Sequence, residues 1–83
     1  MAILINFKSA VSEILEQEFH IQALIDDSVP LTRFHFDQAD CEDFVISLEN
    51  QFQADLSEYD CLISPGTTIG EIRTYLEDAP DLG

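Results

Sequence analysis

Apolar residues recur at helical spacing in three separate stretches of this 83-residue chain, and this periodicity constrains the fold more than any other feature. The first stretch, residues 5–20, has its apolar stripe at Phe7, Ala10, Val11, Ile14, Leu15 and Phe19. Polar residues fill the opposite side of each stretch, which predicts amphipathic helices that bury one face. Three such faces are buried together in a single helical core, so the sequence predicts an all-α domain.

The second helix is predicted to begin after Asp37, because aspartate is a favourable N-cap. Asp40 falls in the first turn, where a negative charge meets the positive end of the helix dipole. Ile46 lies off the apolar stripe, and we expect its side chain to be partly exposed. The stripe itself consists of Cys41, Phe44, Val45, Leu48 and Phe52.

A capping-box sequence, in which Thr68 is followed three residues later by Glu71, predicts the start of the third helix. Its apolar stripe consists of Ile69, Ile72, Leu76 and Ala79. Pro80 follows directly and is expected to end the helix, since proline cannot continue the hydrogen-bond ladder.

The connections between these helices differ in length. Residues 26–37 are predicted to form a long loop, pinned across the bundle by the side chains of Leu31, Phe34 and Phe36. Residues 57–62 have room for only one or two short turns of helix. The sequence therefore predicts one domain over residues 1–83, with three main helices, one short helix and a long first loop.

The charge of the chain is strongly one-sided. Seventeen acidic residues face only Lys8, Arg33 and Arg73, which gives a formal net charge of −14. Such a field repels nucleic acid phosphates and anionic lipid, and it favours a protein partner with a basic patch. We expect no direct binding to nucleic acid or membrane, and a monomer is favoured.

The apolar run at residues 1–5 is too short for a membrane span and lacks the basic region and cleavage site of a signal peptide. We therefore expect a cytoplasmic protein.

The residues that most often carry chemistry do not form a recognisable motif. Cys41 and Cys61 lack metal-ligand spacing and are flanked by acids that raise a thiol pKa, so we interpret both as apolar residues in or near the core. A disulfide or redox role stays open. His20 and His35 lie in different segments and do not have the spacing of a metal-binding pair of histidines. Without a nucleophile–base or phosphate-binding motif, the prediction is no enzyme activity, no metal and no cofactor.

Two segments resemble acyl carrier proteins. Residues 37–52 are similar to the second helix of a carrier, and a Leu-Glu-x-x-Phe sequence there precedes an Asp-Leu-Ser turn at residues 55–57. Residues 67–77, Thr-Thr-Ile-Gly-Glu-Ile-Arg-Thr-Tyr-Leu-Glu, resemble the segment that opens the last carrier helix. The resemblance spans roughly residues 7–79 and implies an acyl-carrier-like four-helix bundle. The chain is also similar to a group of small enterobacterial proteins of carrier-like fold.

The departures from the carrier pattern cluster at the modification site. Gln38 stands where carriers have the serine that bears phosphopantetheine, Ala39 replaces the following leucine, and His35 replaces a glycine. An amide offers no hydroxyl for the phosphodiester. The resemblance therefore implies a carrier scaffold without a prosthetic group.

In carriers the second helix faces basic patches on partner enzymes. The matching positions here are Asp37, Asp40, Asp43, Glu49 and Asp55. The resemblance implies that these acids dock a basic protein partner. Three alternatives stay open: an acidic nucleic-acid mimic that inhibits a DNA-binding protein, a true carrier with a displaced attachment site, and an acidic face that only confers solubility.

Overall fold

A computed structural model describes residues 6–23 and 25–81. In chain order its elements are α1 (Phe7–Phe19), a 3₁₀ turn η1 (Leu31–Phe34), α2 (Gln38–Phe52), a second 3₁₀ turn η2 (Asp60–Leu62) and α3 (Ile69–Asp78). The predicted all-α class is confirmed. In place of the short helix predicted within residues 57–62, the structure has only the three-residue 3₁₀ turn η2, so α1, α2 and α3 are the α-helices of the described residues. Residue 5, where the first helix was expected to begin, lies outside the described residues.

Helix α1 buries its predicted stripe except for Phe19, which is half-buried. The helix ends at Phe19 because His20 adopts a left-handed conformation (φ 57°) and donates its backbone N–H to the Leu15 carbonyl. Residues 20–23 and 25–30 are non-helical, and the connection from α1 to α2 occupies residues 20–37. It is longer than the predicted loop, and the partly buried Ile21 and Ile25 anchor its first part against the core.

Helix α2 begins at the predicted cap. The Asp37 carboxylate accepts the Asp40 N–H at 2.8 Å, and the Asp40 carboxylate accepts the Asp37 N–H at 3.2 Å. This reciprocal pair satisfies two backbone donors that a helix start leaves without partners. The predicted stripe is buried apart from the half-buried Phe52, and Ile46 is 55 % exposed, as expected.

The predicted pinning of the first loop is confirmed. Leu31, Phe34 and Phe36 are all buried. The ring of Phe36 lies 4.7 Å from that of Phe19 and 5.6 Å from that of Phe44, measured between centroids. Aromatic pairs at these separations contribute about 0.5–1.5 kcal/mol each beyond the area they bury. The loop is therefore part of the core between α1 and α2.

The loop is also paired with the chain that leads into α3. Four backbone hydrogen bonds of 2.8–3.0 Å join residues 27–32 to residues 65–70, around an antiparallel bridge between Pro30 and Thr68. At the end of this pairing Arg73 forms an ion pair with Asp27, and its guanidinium lies 5.9 Å from the centroid of the Phe7 ring. Helix α3 is thereby fixed to both the loop and α1.

The predicted capping box of α3 is present, because the Thr68 hydroxyl accepts the Glu71 N–H and the Glu71 carboxylate accepts the Thr68 N–H. At the other end, the Asp55 N–H donates to the Pro80 carbonyl at 2.8 Å. The rings of Tyr59 and Tyr75 stack with centroids 5.1 Å apart. Both ends of α3 are thus tied to the segments beside them.

The two cysteines differ. Cys41 is buried in α2, as predicted. The prediction for Cys61 was wrong, because this residue is exposed in η2, a turn that buries none of its three side chains.

None of the helices in residues 6–23 and 25–81 combines the length and apolar character needed to cross a bilayer.

Gly70 allows the close approach of the loop to α3. A Cβ built at Gly70 would lie 3.0 Å from the carbonyl oxygen of Asp27 and 3.1 Å from its Cβ. We expect Gly70→Ala to destabilise the domain by about 1–3 kcal/mol, since overpacking costs this much. Helix propensity alone predicts the opposite sign, a gain of about 1 kcal/mol. Urea unfolding followed by circular dichroism gives the sign.

Gly66 provides the matched control, because a Cβ at this position would meet nothing within 4 Å. Gly66→Ala should be neutral or stabilise by up to about 1 kcal/mol through the unfolded state. Equal effects of the two substitutions would show that the contact between Gly70 and Asp27 does not limit the side chain at position 70.

Candidate interaction surface

The acids of α2 lie on two different flanks of the helix. Successive residues are rotated by about 100° around an α-helix, so Asp40 and Glu49, nine residues apart, point in opposite directions. We call the side with Asp40, Asp43 and Ser47 the α1 flank, because the Ser47 hydroxyl donates to the Glu18 carboxylate of α1 at 2.7 Å. The other side faces η2.

A groove of about 460 Å³ runs between α2 and η2. We call it the α2–η2 groove. Glu42, Glu49 and Asp60 give it three carboxylates, and Cys61 adds an exposed thiol. The full lining consists of Gln38, Glu42, Val45, Ile46, Glu49, Asp60 and Cys61.

Gln38 lies at the exposed start of α2 and contributes to the lining of this groove. Its amide nitrogen donates to the Ile63 carbonyl at 3.4 Å, which links the first turn of α2 to the chain just after η2. The Gln38 side chain is therefore in reach of solvent and supplies an amide at the start of α2.

Two of the predicted docking acids also bond to the backbone beyond α2. The Glu49 carboxylate accepts the N–H of the buried Leu56 at 2.9 Å. The Asp55 carboxylate accepts the Ser57 N–H at 2.9 Å. Both bonds shape the turn that follows the helix.

The bond from Ser57 holds the pKa of Asp55 below its usual value. Because this pKa is lowered in the folded protein, the bond stabilises the fold at pH values above the ordinary aspartate pKa. The stabilisation is lost as the pH falls through the lowered value.

The five predicted docking residues are therefore not gathered on one face. Asp37 and Asp40 contact each other at the start of α2, and Asp43 shares the α1 flank with Asp40. Glu49 lies in the α2–η2 groove, and Asp55 lies in the turn beyond the helix.

Sequence reasoning missed the groove residues Glu42, Ile46 and Asp60. The first two share the flank of Gln38 and Glu49, because spacings of four and three residues recur along one side of a helix, and this signal was present in the sequence. Asp60 had no such signal, since it reaches the groove only through the path of the chain after α2.

The buried thiol of Cys41 lies in surroundings that disfavour its ionised form. Burial raises the pKa of Cys41, and the charges of Asp40, Asp37 and Glu42 raise it further. The predicted effect of the flanking acids is thus confirmed for Cys41, with burial as the larger cause. A raised pKa leaves little thiolate, which is the reactive form.

Comparisons of the chain with protein-family models, with curated proteins and with solved structures found no match. The resemblance to acyl carriers therefore rests on the residues of the two segments described above.

Glu49 tests whether a groove carboxylate also supports the fold. Glu49→Ala leaves the Leu56 N–H without its acceptor, and we expect a loss of about 1–2 kcal/mol in the free energy of unfolding. Glu49→Gln keeps an acceptor oxygen and should retain most of the stability. Glu42→Ala, two turns earlier on the same flank, should change stability by less than about 0.5 kcal/mol. Urea unfolding measures the stability of the three variants. Equal free energies of unfolding for all three would contradict this role of Glu49.

Proposed function

We propose that this chain is a non-catalytic, acyl-carrier-like module that lacks an attachment site and binds basic surfaces of partner proteins. The observation that carries the proposal is the exposed start of α2. There Asp37 caps the helix, and Gln38, which the resemblance aligns with the carrier serine, lies beside a groove lined by carboxylates.

The backbone before α2 supports the carrier-like part of the proposal. His35 adopts a left-handed conformation with φ 62°, at the position where the carrier pattern has glycine. Glycine adopts this conformation without the steric cost that a Cβ imposes. The backbone at position 35 therefore has a conformation that suits glycine, although the residue is histidine.

The charge distribution supports the choice of a basic partner. Arg73 is engaged with Asp27, which leaves few cations to neutralise the acids of the surface. Both flanks of α2 present exposed carboxylates, Asp43 on one and Glu42 on the other. Surfaces of this kind attract a basic partner from a distance and select against acidic ones.

The carrier-like scaffold is tested by restoring the missing hydroxyl. We expect Gln38→Ser/Ala39→Leu to accept phosphopantetheine from a broad-range phosphopantetheinyl transferase, because the serine would lie at the exposed start of α2. Intact-mass measurement detects the added group, and digestion locates it at position 38.

The wild-type chain is the control and should gain no mass. A folded double variant that is not modified would contradict the carrier-like part of the proposal. Modification of the wild type would instead favour a true carrier with a displaced attachment site.

Charge reversal tests the docking part. Glu42→Lys/Asp43→Lys places two positive charges on α2 at exposed positions that make no side-chain hydrogen bond within the described residues. We expect recovery of the basic partner from a lysate to fall at least about fivefold, because each reversal replaces an attraction by a repulsion. Quantitative mass spectrometry of the captured proteins measures the amount of partner recovered with each variant.

Glu77→Lys/Asp78→Lys is the matched control, since it changes the net charge equally but on the exposed end of α3. Equal losses for the two double variants would contradict docking through α2. A partner that binds DNA and is displaced by added DNA would instead favour an acidic nucleic-acid mimic.

A further inference from the structure

We infer that the α2–η2 groove recognises a basic amphipathic helix of the partner protein, with an apolar side chain of that helix placed on Ile46 and its cations placed against Glu42, Glu49 and Asp60. This inference rests on the proposed function and names the part of the partner that is bound.

The apolar contact comes from the unusual exposure of two side chains. Among residues 6–23 and 25–81, the exposed large hydrophobic side chains are Ile46 and Leu62, each 55 % exposed. Ile46 lines the groove, and Leu62 follows Cys61 in the turn that forms its opposite wall. Single exposed apolar residues are common on protein surfaces. Leu62 itself does not line the groove, so the apolar contact is assigned to Ile46, which lies between Glu42 and Glu49 on the same flank of α2 and favours a partner with an apolar stripe.

The three carboxylates of the groove determine the charge of the partner. Glu42 and Glu49 stand two turns apart on α2, and Asp60 faces them from η2. Lysine or arginine side chains on both sides of an apolar stripe complement this arrangement. A second copy of the chain does not, because it also carries a net charge of −14.

The backbone of α2 favours a helical occupant over an extended one. The interior N–H and C=O groups of α2 are paired within the helix, so the groove offers no open strand edge to an extended peptide. A helical segment satisfies its own backbone and presents side chains at spacings of three and four residues. The wall from Gln38 to Glu49 is about 16 Å long, which matches roughly three turns of helix.

The inference is tested with two synthetic peptides of identical lysine and leucine composition. One has its leucines on one helical face, and the other has the same residues in an order without an apolar face. Each is titrated into the isotope-labelled full chain, and backbone amide shifts are followed by NMR. We expect tighter binding of the amphipathic peptide, with the largest shifts at Glu42, Ile46, Glu49, Asp60 and Cys61.

Adjacent substitutions separate the groove from the α1 flank. Glu42→Gln and Asp43→Asn each remove one exposed charge, but only Glu42 lines the groove. We expect about threefold weaker binding of the amphipathic peptide for Glu42→Gln and a smaller change for Asp43→Asn. Ile46→Ala should weaken binding of the amphipathic peptide about tenfold and leave binding of the peptide without an apolar face unchanged.

The outcomes distinguish the two proposals. Equal binding of both peptides, or equal effects of Glu42→Gln and Asp43→Asn, would overturn the groove inference and leave docking of basic surfaces in place. The largest shifts on the α1 flank, at Asp40, Asp43 and Ser47, would have the same meaning. No binding of either peptide at low salt would overturn both proposals.

Discussion

Backbone pairing between residues 27–32 and residues 65–70 holds the long first connection against the start of α3. A connection of eighteen residues between α1 and α2 is entropically costly to order unless its own groups hold it in place. Here the pairing satisfies backbone groups of two irregular segments at once, while Leu31 and Phe34 bury the apolar side chains of the loop. The absence of a side chain at Gly70 lets the two segments approach.

The same pairing positions the wall of the groove. Thr67, which is buried, takes part in the pairing through its carbonyl and also donates its hydroxyl to the Leu62 carbonyl at 3.3 Å. The Ser64 N–H donates to that hydroxyl at 3.0 Å. These bonds connect the pairing to the chain at and just after η2. The Gln38 bond to the Ile63 carbonyl holds the same segment from the α2 side.

The acids of the candidate surface serve the fold and the electrostatic field together. Asp37 and Asp40 cap α2, Glu49 holds Leu56, and Asp55 shapes the following turn. Hydrogen bonds to ionised acceptors are stronger than neutral ones, so these carboxylates offset part of the repulsion that a net charge of −14 imposes. Asp43 and Glu42, both exposed, make no such bond within the described residues, which is why they report on docking more cleanly than Glu49 does.

The all-α class, the caps at Asp37 and Thr68 and nearly all of the buried stripes were predictable from the amino-acid sequence, because helical periodicity and capping are local in the chain. The exposure of Cys61 and the grouping of Asp60 with Glu42 came only with the three-dimensional structure. These features depend on contacts between residues distant in sequence, for which no spacing rule exists. The net negative charge could be read from the composition, but the groove that brings Glu42, Glu49 and Asp60 together could not.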